Sequence, residues 1–127
     1  LLQYYYLKQN GLNVGFKNDN NFHLVNNFSK LKNIKFKKNS LFVANWSLSE
    51  SPIQFRKKFI NIIKKHEIIL ISFQEYFEDI NNLEYFNDLK KELSNNYKLK
   101  ILENRHYKGN IFKRQKHFFL IGKKIIT

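Results

Sequence analysis

Leu41-Phe42-Val43-Ala44-Asn45-Trp46 and Ile68-Ile69-Leu70-Ile71-Ser72-Phe73 decide the fold. Each is a nearly continuous apolar run, too apolar for a strand with one wet face. Each therefore predicts a strand buried on both faces. Between them, Ser47 to Ser51 reads as a loop. Ser51 is the expected N-cap of a helix, with Pro52 at its first position and Gln54 completing a capping-box pattern. Phe55, Phe59, Ile62 and Ile63 recur at helical spacing. Lys64 and Lys65 suit the negative end of that helix.

Downstream, Gln74 to Ile80 reads as a loop. Asn81, with Glu84 three residues on, starts a second helix. Leu83, Phe86, Leu89 and Leu93 line one side of it, and Asn95-Asn96 ends it. Tyr97 to Glu103 alternates, with Tyr97, Leu99 and Ile101 on one face. Asn104 to Asn110 is a turn-rich loop, and Phe118-Phe119-Leu120-Ile121 is a last strand reached without room for a helix. Upstream, residues 1 to 10 form a short helix with Gly11 as its stop. Val14 to Phe16 is extended, residues 18 to 21 are a turn, and Phe22 to Val25 is a short strand. Residues 26 to 39 alternate Lys and Asn with single apolar residues and give only a weak signal.

The order from residue 41 is strand, helix, strand, helix, strand, strand. Buried strands separated by single helices predict an α/β fold with parallel strands and helices on the sheet faces. The last two strands predict an antiparallel hairpin. A parallel sheet closed in this way resembles the C-terminal half of the Rossmann-like sheet of S-adenosylmethionine-dependent methyltransferases. Other doubly wound folds also carry an antiparallel edge.

Composition narrows the class. The 127 residues suffice for one domain at most. Thirteen Phe, seven Tyr and one Trp argue for a buried core and against disorder. The absence of Cys excludes disulfides and thiolate metal sites. No apolar run reaches the roughly 20 residues of a membrane span, and no segment reads as a signal peptide. A cytoplasmic location is the expectation. The sequence has no Met and opens on Leu1-Leu2-Gln3-Tyr4-Tyr5-Tyr6-Leu7, the body of a helix. It is expected to be a piece of a larger protein, residues 1–127 forming a single partial domain. Processing or trimming of the N-terminus is the alternative.

The formal net charge of +13 invites a nucleic-acid partner. Lys, however, outnumbers Arg 20 to 3, and bidentate reading of phosphates and bases favours Arg. Lys, Asn, Ile and Phe make up 65 of 127 residues, and all four have A/T-rich codons. An A/T-rich coding sequence accounts for the basicity without selection for a polyanion, so no specific nucleic acid is expected.

The segment Phe42-Val43-Ala44-Asn45-Trp46-Ser47-Leu48-Ser49-Glu50-Ser51-Pro52 resembles the motif after the fourth strand of a bacterial family of sugar O-methyltransferases. Ile71-Ser72-Phe73-Gln74 and Asn81-Asn82-Leu83-Glu84-Tyr85-Phe86 are similar to that family's fifth strand and next helix. His106, Gly109 and Phe118-Phe119-Leu120-Ile121-Gly122 are similar to its closing hairpin, and Leu1 to Leu7 to the helix after its acidic second strand. The resemblance implies a downstream half of a catalytic domain that, when complete, binds S-adenosylmethionine and transfers its methyl group to a sugar hydroxyl in glycan biosynthesis. The departure is large. The family's glycine-rich turn and the acidic residue at the end of its second strand are absent, and glycines 11, 15, 109 and 122 form no cradling loop. Alone, these residues are expected to be inactive.

Ligands of open α/β sheets sit beyond the carboxyl ends of the strands. That points to two loops, 45 to 51 and 74 to 82. In the first, Asn45 and Trp46 are candidate cofactor contacts. Trp46 covers an adenine or a sugar face, or is a core aromatic at a strand end. Ser47 and Ser49 bind substrate or simply bond within the loop. Glu50 is a general base, or a carboxylate favoured by a helix N-terminus. In the second, Gln74, Glu75, Tyr76 and Asn82 suit a polyhydroxylated substrate, or cap the following helix. His106, three residues after Glu103, is a candidate base or a solvated loop residue. His66 and His117 precede apolar runs with no metal-ligand spacing, so no metal is expected.

Three rival readings remain, one of them another Rossmann-like transferase, which a different cofactor preference would reveal. A nucleic-acid-binding module requires Lys and Arg clustered with exposed aromatics. A non-catalytic α/β interaction domain requires no cofactor at all. A half sheet would also leave an exposed hydrophobic edge for self-association.

Overall fold

The computed structural model describes residues 2–16, 22–25, 28–105 and 115–125. The chain divides into two compact units, residues 1–35 and 36–127.

The first unit contains α1 (Leu2–Gln9), β1 (Val14–Gly15), β2 (Phe22–His23) and α2 (Phe28–Lys32). α1 ends at Gly11, whose φ of 75° is the left-handed conformation that glycine adopts without penalty. β1 and β2 pair in parallel. Tyr4 of α1 stacks on Phe16 with ring centroids 5.7 Å apart. The helix over residues 28–32 falls where the sequence signal is weak. The expected turn at 18–21 lies outside the described residues.

The second unit contains β3 (Leu41–Asn45), α3 (Ile53–Ile63), β4 (Ile68–Gln74), β5 (Tyr76–Phe77), β6 (Ile80–Asn81), α4 (Asn82–Glu92), β7 (Tyr97–Glu103) and β8 (His117–Lys124). It is a mixed α/β fold. Its four-stranded sheet has the order β3-β4-β8-β7. β3 and β4 are parallel, and β8 runs antiparallel to both β4 and β7. The expected hairpin of the last two strands forms, and β8 inserts between β4 and β7.

One core holds this unit together. Ile63 of α3 and Phe86, Leu89 and Leu93 at α4 pack with Ile69, Ile71, Phe73, Tyr97, Leu99, Phe118 and Leu120 of the sheet. Each such side chain contributes about 1.5–3 kcal/mol by leaving water. Phe73 lies at the centre, 4.3 Å from the Phe86 ring and stacked at 5.5 Å on Phe118. The Tyr97 hydroxyl donates to the His66 carbonyl at 2.5 Å and lies 3.3 Å from that of Ile63. It thereby ties β7 to the turn that follows α3.

Three expectations are corrected. β3 is not buried on both faces. It ends the four-strand order, Leu41 and Val43 are exposed, and Ala44 is its one buried residue. Both helices contribute to a single core on one face, while Leu41, Val43, Ile68 and Ile121, of the opposite parity, are exposed. The helix start at Ser51 also shifts. Pro52 occupies the N-cap and makes no side-chain cap bond, while the Ser51 hydroxyl donates to the Ser47 carbonyl at 2.7 Å. The start of α4 is as expected: Asn81 is the N-cap and its side chain accepts from the Glu84 amide at 3.1 Å. Residues 74–80, expected as a loop, hold the small β5–β6 hairpin, with Glu78 at a φ of 51°. No helix among the described residues is long and apolar enough to cross a membrane.

Candidate functional site

The chain reverses sharply where β3 ends. The Ser47 amide donates to the Asn45 carbonyl at 2.7 Å, closing a three-residue turn about Trp46. Trp46 has a φ of 59°, a left-handed conformation that a bulky side chain rarely adopts. Such strain costs on the order of 1–3 kcal/mol and concentrates at functional sites. Here it persists because neighbours over-determine it. The Trp46 amide donates to the Ser72 carbonyl at 3.0 Å, and its carbonyl accepts from the Glu50 amide at 3.0 Å and the Ser49 hydroxyl at 2.8 Å.

The turn sets the indole against His117. The two rings stack at 5.0 Å with an interplanar angle of 26°. His117 reaches this edge because β8 is antiparallel: its first residue faces Gln74, the last residue of β4. Burial pushes the His117 pKa below the ordinary histidine value, so the ring is neutral at pH 7. Together these residues wall a cleft of about 300 Å³ lined by Asn45, Trp46, Ser72, Asn104, His117, Phe118 and Phe119. The Ser72 hydroxyl donates to Oδ1 of Asn45, which leaves the Asn45 NH2 group as a donor. The cleft thus combines a flat aromatic wall with amide and hydroxyl groups.

Behind this wall lies a buried polar network. Arg56 of α3 is fully buried. Its Nε donates to the Ser51 carbonyl at 2.7 Å, Nη2 to the Ser49 carbonyl at 2.6 Å, and Nη1 to Asn82 Oδ1 at 2.6 Å. The guanidinium lies 5.0 Å from the centre of the Tyr85 ring. Burial lowers the Arg56 pKa and the Tyr85 phenol opposes the shift. The Ser49 hydroxyl donates to Gln74 Oε1 at 2.9 Å, and Gln74 Nε2 stands 3.5 Å from Glu50 Oε1. The Glu75 carbonyl accepts from the amides of Asn82 and Leu83.

The structure therefore brings the loops 45–51 and 74–82 together, but distributes their candidates unequally. Asn45 and Trp46 line the cleft. Ser49, Gln74 and Asn82 are buried and bonded to one another or to Arg56. Glu50 is exposed beside Gln74. Ser47 and Tyr76 are exposed and Glu75 is half-buried, and none of the three lines the cleft. His106 lies outside the described residues. No family model, curated protein or solved structure matches the chain.

Sequence reading passed over His117, Ser72, Asn104 and Arg56. For Arg56 a signal exists: in a chain with 20 Lys and 3 Arg, an Arg is a choice against the prevailing cation. His117 carries no local signal, because only the insertion of β8 brings it to this edge. Among the described residues no three His, Cys, Asp or Glu side chains gather as a metal site.

Proposed function

We propose that the chain is the downstream half of an S-adenosylmethionine-dependent sugar O-methyltransferase, a transferase acting on a sugar hydroxyl in glycan biosynthesis. The observation that carries this reading is the strained turn at the end of β3, which sets Trp46 against His117 over a cleft lined by amides and a hydroxyl. Aromatic faces suit an adenine ring or the apolar face of a sugar, and the amides supply the directional bonds that a polyol needs. The cleft also sits where open α/β sheets bind ligands, beyond the carboxyl ends of parallel strands. Further support comes from β3, β4 and β7 running the same way with α3 and α4 between them, and from the reversed final strand.

When bound, the cofactor supplies an electrophilic methyl group on a sulfonium. The chain's part is to orient the acceptor hydroxyl, exclude water and take up its proton. Asn45 and Trp46 contact the cofactor or acceptor. Gln74 positions Glu50, and Ser49 and Asn82 hold the substrate loops through Arg56. Glu75 and Tyr76 border the acceptor side with Ser47. Glu50 and His106 are the proposed bases, and neutral His117 adds a third inside the cleft itself. The glycine-rich turn is absent, so most of the cofactor's contacts come from residues beyond these 127, and the chain alone is inactive.

The test is to read the coding frame upstream of Leu1. A strand, a glycine-rich turn and an acidic residue about 20 positions later support the reading. The protein extended to include them then transfers labelled methyl groups to sugar acceptors and loses this on Trp46→Ala. A stop codon directly upstream, or an extended protein that binds no cofactor, removes it. The exposure of Leu41, Val43, Ile68 and Ile121 favours the second reading, a non-catalytic α/β interaction domain.

A further inference from the structure

The face of the sheet opposite α3 and α4 has a defined pattern. Side chains alternate across strands, so register partners of one parity form rows. The first row is Leu41, Ile68, Lys123 and Lys98; the second is Val43, Leu70, Ile121 and Lys100. Four of the five apolar members are exposed, Leu41 47%, Val43 55%, Ile68 40% and Ile121 38%, and Leu70 between them is half-buried. Scattered apolar residues on a surface need no explanation, but a contiguous patch marks an interaction site. At the β7 side of the same face the rows end in lysine. Lys98 and Lys123 stand directly opposite each other, a pairing that repels. Among the described residues, Lys98, Lys100 and Lys123 belong to no ion pair.

We infer that this face docks an amphipathic helix of a partner, with an apolar stripe over β3 and β4 and acidic residues along the flank over β7. The charge pattern selects the occupant. Carboxylates would neutralise the opposed lysines, whereas a second copy of this chain would bring lysine to lysine and add +13 to +13. The dimensions also suit a helix. Two same-face residues of a strand lie about 7 Å apart, or roughly four to five residues of helix, and four strands span about 14 Å, wider than one helix. The inference does not rest on methyl transfer: it concerns these two rows, and the next row of the same face, Asn45, Ser72 and Phe119, lines the cleft.

The probe is a synthetic amphipathic peptide with leucines on one face and glutamates along its flank, titrated by fluorescence anisotropy. Saturable binding is expected, weakened by salt and by about tenfold on Val43→Asp, a loss typical of an interface centre. Val43 is exposed, so the melting temperature of that variant should stay unchanged. Joint Lys98→Glu and Lys100→Glu substitution should exchange preference from the glutamate peptide to a lysine-flanked one. No binding, or equal binding by a scrambled peptide of the same composition, would overturn the proposal. So would a free protein that sediments as a dimer dissociated by Val43→Asp, because the face would then belong to a second copy. Attachment to phosphatidylglycerol vesicles, lost on Val43→Asp while the peptide fails to bind, would assign it to a lipid surface instead.

Discussion

Arg56 Nη1 donates to Asn82 Oδ1 at 2.6 Å, joining α3 to the first residue of α4 through one buried bond. The same guanidinium holds the carbonyls of Ser49 and Ser51. One side chain thus fixes both loops that border the carboxyl edge of β3 and β4. No carboxylate compensates its charge among the partners found; neutral acceptors and the Tyr85 ring do. Asn82 Nδ2 is buried with no hydrogen-bond partner among the described residues. Oδ1 is therefore the bonded end of that amide.

Arg56→Met should be strongly destabilising. The methionine fills part of the volume but leaves the buried Ser49 carbonyl and Asn82 amide oxygen, and the half-buried Ser51 carbonyl, without their donors. At about 1–3 kcal/mol for each unsatisfied group, a loss of roughly 3 kcal/mol or more is expected. Urea denaturation monitored by circular dichroism measures it. Arg56→Lys should recover little, because an ammonium lacks the planar fork that reaches three acceptors. A loss under about 1 kcal/mol for Arg56→Met would contradict the role given to this network.

Gly122→Ala should weaken the sheet. Gly122 faces Leu99 across β8 and β7, and a Cβ there would meet the Lys98 carbonyl oxygen and stand 2.9 Å from the Leu99 Cα. These are backbone atoms of the neighbouring strand and cannot rotate away. A loss of about 1–3 kcal/mol is expected, as for other overpacked sites. Amide hydrogen exchange should speed up first along β7 and β8. Unchanged exchange in those strands would refute the contact.

Mild acid should lower stability through the histidines. His66 is buried with Nδ1 3.0 Å from the Ser40 hydroxyl, against the rings of Phe36 and Phe42. Burial first, and then Lys65, depress its pKa. The unfolded chain consequently takes up the proton at a higher pH than the folded one. The stabilisation is complete above the unfolded value of about 6.5 and is lost as pH falls through the depressed folded value. Melting temperatures taken from pH 8 downward should drop below that point, and His66→Gln should flatten the drop. Identical profiles would remove His66 as the cause.

The emission of Trp46, the single Trp, should report the protonation of His117 stacked upon it. The midpoint is expected below about 6.5, because burial disfavours the imidazolium. His117→Phe should keep the stack and abolish the pH response. A response that survives this substitution would place its origin elsewhere.

The sequence carries the parts of this fold that rest on local chemistry. Asn81 and Glu84 sit three residues apart, and their cap forms as read. Ser51 has a competitor four residues back, the Ser47 carbonyl, and spends its hydroxyl there. The run Leu41 to Trp46 identifies a strand, but apolarity alone does not tell whether a second layer covers it. The fold leaves Val43 exposed. The site follows the same division. Asn45 and Trp46 are legible because they end a strand. His117 and Ser72 join them only through the pairing of β4 with β8, a contact about 45 residues apart in sequence. Ser49 and Asn82 are polar for the sake of Arg56, a partner that spacing does not reveal.

The central claim is that the cleft between Trp46 and Asn104 is a ligand site. Titrating the chain with adenosine, S-adenosylhomocysteine and neutral sugars, while following Trp46 emission, tests it directly. A saturable change at millimolar sugar or adenosine is expected, weaker for S-adenosylhomocysteine than its size would suggest, and reduced by Asn45→Ala. Emission unmoved by all of these ligands, with the fold intact by circular dichroism, would contradict it.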